Sequence, residues 1–260
     1  MSDLKTRAHA LIPPFLSRKT AGKFCFIRRE DIAEQLAERI DKPGKIGQHT
    51  PSLSSRASIL NSIAYSDPVA YARFAIDLYE QGRARLRGLD INPNARVRRS
   101  CAKPGVPVLD SMTLESLQGS RNWFLVYQRA IKVIPGVTPP IEMLRCFKRA
   151  GYRTVINDAS LSLTKGTGNL SAANKYFRQR YKVCVLINKN MIEGRLNRIS
   201  TYPKPWECQW LALSSDIRVL PNSVSFGIIT KSGRHDHLTA ARLSKERFLD
   251  NYHGFIACSE

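Results

Sequence analysis

The hydrophobic period of this chain changes once, near Gly151, and that change decides which class of fold can form. Before it, apolar residues recur at helical spacing. Ile32, Leu36 and Ile40 fall at i, i+4 and i+8, one stripe of a helix, and Pro43-Gly44 ends the run. Ser54 or Ser55 is placed to cap a further helix whose inward positions are Ile59, Leu60, Ile63 and Ala64. Asp67-Pro68 reads as an N-cap followed by a first-turn proline. The helix it starts carries Val69, Tyr71, Ala72, Ile76 and Tyr79 and stops near Gly82. Pro139-Pro140 opens another helix, 141–150, which Gly151 closes. Beyond that point, short apolar runs bounded by turn residues take over. Residues 152–156, 182–187, 209–213, 217–220, 224–229 and 254–257 read as strands, with Pro221-Asn222-Ser223 as a hairpin turn. A helix near 170–180 separates the first two strands, and Ser244 caps a short helix over 244–251. Helices early and strands late predict an α+β fold, a helical N-terminal part packed on a C-terminal antiparallel sheet.

A chain of 260 residues with 43% hydrophobic content can bury an adequate core. No run approaches the roughly 18 apolar residues of a membrane helix, so no transmembrane segment is expected. Residues 1–22 lack periodicity and contain Pro13-Pro14, which predicts an N-terminal arm ahead of a single domain over 23–260. They also lack a long apolar stretch with a cleavage site, so no ordinary secretory signal is expected. Six cysteines lie far apart without C-x-x-C spacing, which disfavours a zinc site and points to reduced thiols. Cys146 and Cys184 sit in apolar runs and read as core residues. No cofactor motif is recognised. Lys165-Gly166-Thr167-Gly168 lacks the full phosphate-loop pattern and reads as a turn, and His235-Asp236-His237 reads as a solvated polar loop rather than a metal site.

Charge is the outstanding feature of the composition. Lys and Arg number 41 against 21 Asp and Glu, a net charge of +20. Such a field draws polyanions: nucleic acid, acidic lipid headgroups or an acidic protein. The densest stretch holds Arg83, Arg85, Arg87, Arg96, Arg98, Arg99 and Lys103 against Asp90, and reads as a loop that carries either an anion-binding face or the solvated surface of a basic protein. No recognition-helix or RNA-binding motif accompanies it.

Two further stretches bear on chemistry. Gln48-His49-Thr50-Pro51-Ser52-Leu53-Ser54-Ser55-Arg56-Ala57 leads into a helix, and Cys208-Gln209-Trp210-Leu211-Ala212-Leu213 runs along a later strand. A thiol at a helix N-terminus is favoured as thiolate by the unpaired backbone N–H groups, and its base has to arrive from another element. The two stretches supply those elements in that order. From about Phe24 to Ala257 the chain resembles bacterial papain-like proteins associated with type VI secretion and Rhs loci. Their nucleophile motif, S-L-C-G-P-A-A, is followed by D-P-x-x-Y-x-R-F-x-I-D-L-Y-E-x-G-x-A, kept here almost intact from Asp67 to Ala84. Asn122-Trp123-Phe124, Ala150-Gly151-Tyr152 and Val183-Cys184-Val185-Leu186-Ile187-Asn188 are also kept. The family's H-W-V-V-L-T-S-P-I aligns with residues 209–217 and its F-L-D-N-Y-Y-G-Y-V-A with 248–257.

The resemblance implies a papain-like fold whose nucleophile position reads Ser54, whose histidine position reads Gln209 and whose oxyanion glutamine is Gln48. The family's Gly-Pro after the nucleophile reads Ser55-Arg56, and its T-W-G reads Thr230-Lys231-Ser232-Gly233. A serine hydroxyl needs a base, and neutral glutamine is none. Removing one such residue costs about 10⁴–10⁶ in rate. A catalytically inactive, secretion-associated effector or partner-binding protein is therefore expected, with Trp210 and the arginines as binding residues. Its expected partners are a polyanion or acidic protein, with a secretion-system or immunity protein implied by the family. Its expected place is the cytoplasm before export by a dedicated apparatus. Two alternatives stand beside this: a hydrolase or transferase using a repurposed Ser54 or Cys101, with His49 as a substitute base, and a basic protein that binds nucleic acid or an acidic membrane surface.

Overall fold

The computed structural model of the chain describes residues 2–47, 53–100, 105–120, 137–191, 207–229, 235–239 and 244–260. It combines helices with antiparallel sheets, an α+β fold. Contacts divide the chain into two compact units, Met1–His49 with Ile59–Val133, and Thr50–Ser58 with Ile134–Glu260, where one domain over 23–260 was expected.

The first unit is mainly helical. It contains α1 (Ser2–His9), α2 (Ile12–Leu16), α3 (Arg29–Asp41), most of α4 (Ser54–Ser66), α5 (Pro68–Gln81), α6 (Ala95–Ser100) and α7 (Val108–Gly119). The α3 stripe Ile32, Leu36 and Ile40 is fully buried, as are Ile59, Leu60 and Ile63 of α4. The caps of α5 follow from local chemistry. The Asp67 carboxylate accepts the Ala70 N–H at 2.9 Å, Pro68 fills the first turn, and Gly82 ends the helix at φ +71°.

The expected arm is instead two helices anchored to this unit. Pro13-Pro14 sits in the first turn of α2, where a missing N–H costs nothing. Ala8 and Phe15 are buried. Arg29 fastens the segment: its guanidinium donates to the carbonyls of Phe15 and Thr20 and to Glu80, and lies 4.5 Å from the Phe15 ring centroid. The basic stretch after Gly82 is likewise no loop. It holds the hairpin β1 (Ala84–Leu86) and β2 (Leu89–Ile91), then α6. The hairpin turns at Arg87 with φ +52°, a position where glycine is usual, while Leu86, Leu89 and Ile91 are buried.

The second unit holds a four-stranded antiparallel sheet in the order β3 (Thr154–Ala159), β9 (Tyr252–Ser259), β4 (Lys182–Asn188), β5 (Cys208–Ala212). A three-stranded sheet of β6 (Arg218–Val219), β7 (Val224–Ile229) and β8 (His235–Thr239) joins it through a bridge between Leu213 and Ile228. The helices are α8 (Pro140–Arg149), α9 (Thr167–Arg178) and α10 (Lys245–Leu249), the last capped by the Ser244 hydroxyl. One apolar cluster includes Leu170 of α9, Val185 and Ile187 of β4, Leu211 of β5, and Phe226, Phe248 and Phe255. Gly254 permits the tightest approach: at φ +102°, an added Cβ would lie 2.1 Å from the Asp158 carbonyl oxygen. Gly166 caps α9, so the Lys165–Gly168 tetrapeptide opens a helix. His235-Asp236-His237 is not a polar loop but the start of β8, with His237 opposite Gly227. Among the described residues no helix is long and apolar enough to cross a membrane.

Candidate functional site

The two stretches singled out in the sequence meet within the second unit. The first turn of α4 begins at Ser54, and among the described residues β5 is an edge strand, bonded to β4 on one side. The Ser54 hydroxyl accepts the backbone N–H of Trp210 at 3.3 Å, the N–H of the peptide bond that joins Gln209 to Trp210. Ser54 and Ser55 therefore lie inside the helix, and the Ser54 oxygen serves the β5 edge. Ser55 is held differently: its hydroxyl is 2.7 Å from that of Thr138.

Trp210, expected as a ligand contact, is fully buried, and its indole N–H donates to the Thr138 carbonyl at 2.8 Å. It is a core anchor, because both its polar hydrogens are committed within the unit. Thr138, ahead of the Pro139-Pro140 helix start, thus ties the serines at the tip of α4 to β5. No local motif marks it, since its role depends on contacts with distant residues.

Gln209 has the opposite character. It is 1% exposed, yet neither oxygen nor nitrogen of its amide has a hydrogen-bond partner among the described residues. Gln209 pairs with Ile187 and Leu211 pairs with Val185, so alternation puts Gln209 on the sheet face of that apolar cluster. An unsatisfied amide in such surroundings costs about 1–3 kcal/mol.

Proton-transfer capacity is poor here. Ser54 accepts an N–H, and Gln209 carries no titratable proton. Burial pushes the Cys208 thiol up to about 12, with Glu207 adding to the effect, and pushes the Cys146 thiol up to about 12 against the pull of Arg56. Both therefore stay as thiols at neutral pH. Arg56 is buried, and desolvation brings its pKa down to about 10. A polar knot lies at the start of β5, beside Cys208: Asn190 and Asn188 donate to Glu207 at 3.1 and 3.4 Å, and Asn188 donates to Asn251 at 3.0 Å. These groups satisfy one another and brace the β4–β5–β9 end of the sheet.

Gln48, His49 and Cys101 lie outside the described residues, as do Lys103, 122–124 and 230–233. Among the described residues no group of three or more His, Cys, Asp or Glu is arranged to hold a metal. The predicted basic residues divide by role. Arg87 donates to the Ser66 hydroxyl and faces Asp67, and Arg98 donates to the carbonyls of Gly82 and Pro93, so both are structural. Arg85 is exposed opposite Asp90, while Arg83, Arg96 and Arg99 are exposed to solvent. No family model, no characterised protein and no solved structure matches the chain.

Proposed function

We propose that this chain is a non-catalytic papain-like protein, of the kind found with bacterial type VI secretion and Rhs loci, retained for binding rather than turnover. The observation that carries the reading is the Ser54–Trp210 hydrogen bond. It sets a helix tip against the strand position where the family motif places its histidine, and neither Ser54 nor Gln209 can take up a proton. The net charge of +20 supports a polyanion or an acidic protein as partner, with a secretion or immunity protein as the form the family suggests. Residence in the cytoplasm before export belongs to the same reading.

A screen of peptide and amide substrates tests it, with the Ser54→Cys, Gln209→His double variant assayed beside the unmodified chain. The unmodified chain is expected to be inert, including towards covalent thiol and hydroxyl probes at Ser54 and Cys101. Turnover well above background by the unmodified protein would overturn the reading.

A further inference from the structure

Residues 22–27 cross the C-terminal end of α5 beside α6, held by three hydrogen bonds. The Lys23 N–H donates to the Tyr79 carbonyl at 2.8 Å, the Cys25 N–H to the Arg98 carbonyl at 3.1 Å, and the Tyr79 hydroxyl to the Ile27 carbonyl at 3.3 Å. Between these anchors Phe26 takes φ +64°, in the left-handed region that bulky residues avoid. Its side chain gains no burial from the strain, since the residue is 86% exposed. A fold selected for packing alone has no use for a strained backbone that holds an aromatic ring in water.

The surroundings are cationic. An added Cβ on Gly82 would lie 3.1 Å from Lys23 Cβ and 3.3 Å from Arg98 Nη1, so the start of the hairpin, α6 and the Phe26 turn share one neighbourhood. Lys23, Arg83, Arg96 and Arg99 are exposed there, and among the described residues none of the four has an ion-pair partner. Arg28, by contrast, is tied to Asp31.

We infer that this surface binds single-stranded nucleic acid, with a base stacked on Phe26 and phosphates held by Arg96, Arg99, Arg83 and Lys23. A projecting ring meets a base face only where that face is unstacked from its neighbours, as in a single strand. Three of the four cations are arginines, whose planar fork matches a phosphodiester in a way that diffuse attraction to a lipid surface does not require. A bilayer would also need more apolar area: the other exposed large hydrophobic described in this unit, Leu16, is 44% exposed. This deepens the polyanion part of the function proposed above and rests on residues of the first unit. Hydrolysis at Ser54 would end the non-catalytic reading and leave this inference intact.

Fluorescence anisotropy of the full chain with labelled oligo-dT, oligo-U and a matched duplex, across a salt series, tests the assignment. Phe26→Ala is expected to weaken single-strand binding roughly tenfold while leaving the salt slope unchanged. The Arg96→Gln, Arg99→Gln double variant is expected to lower that slope by about 1.4, at about 0.7 per phosphate contact on a single strand. All three substitutions are at exposed positions, and unchanged melting curves verify the fold. Equal affinity for duplex and single strand with no effect of Phe26→Ala would overturn the inference. So would absence of oligonucleotide binding, or Phe26-dependent binding only to vesicles containing phosphatidylserine.

Discussion

Ser54 Oγ and the Trp210 N–H lie 3.3 Å apart although 156 residues separate them in the chain. Both residues are buried, so the hydroxyl is the means by which an edge-strand N–H escapes desolvation without a partner. Ser54→Ala is expected to destabilise the protein by about 1–3 kcal/mol. Urea denaturation followed by tryptophan fluorescence measures it, and an unchanged midpoint would show that Ser54 does not perform this task.

Gln209 gives the reverse expectation. Leucine nearly matches its shape and removes two unsatisfied polar atoms from an apolar face. Gln209→Leu is expected to stabilise the fold by about 1 kcal/mol or more. A lower denaturation midpoint for the variant would mean that the amide has a partner in solution.

Arg39 and Asp110 form a two-pronged pair inside the first unit, Nη2 to Oδ2 at 2.9 Å and Nε to Oδ1 at 3.2 Å, with both side chains almost wholly buried. The same carboxylate accepts the Gly47 N–H at 3.2 Å. Asp110→Ala leaves the guanidinium buried beside an empty place and is expected to cost about 3–5 kcal/mol. Replacing both by Met and Leu is expected to restore much of that loss, as read from the same denaturation curves.

His253 sets a pH dependence. Burial pushes its pKa below the ordinary value of 6.5, against the pull of hydrogen bonds to the backbone of Ser160 and Leu163. The folded value lies below the unfolded one, so the unfolded chain binds the proton first as pH falls. Its contribution is full above about pH 6.5 and is lost as pH drops through 6.5 towards the folded value. Melting temperature is expected to fall between pH 7.5 and 5.5, and His253→Gln is expected to flatten that fall. Asp31, Glu38 and Asp41, whose carboxyls Arg28, Lys45 and His9 hold below the usual range, act in a separate window below about pH 4.

Where structure is written in local chemistry, the sequence discloses it. Asp67, Pro68 and Gly82 mark the ends of α5 because caps and φ preferences involve only near neighbours. The strands over 182–187, 209–213 and 224–229 are legible because each is a short apolar run between turn residues. What local pattern hides depends on distant partners. The β1–β2 hairpin turns on an arginine at positive φ, so no Asn-Gly signal announces it. β8 is polar along its start and is a strand because β7 supplies its register. Residues 1–22 look aperiodic, but Arg29 gathers their carbonyls. At the site, the proximity of Ser54 to β5 is implied by the resemblance, whereas the hydrogen bond from the Trp210 indole to Thr138 is not.

The strand last in sequence, β9, stands between β3 and β4, and among the described residues β3 has no other neighbour in its sheet. During synthesis, residues 154–159 therefore wait without a hydrogen-bonding mate until 252–259 emerge from the ribosome. The four-stranded sheet of the second unit is therefore completed late, by closing long loops. Until then its apolar strands are open to chaperones, or to a neighbouring nascent chain that offers the same edge.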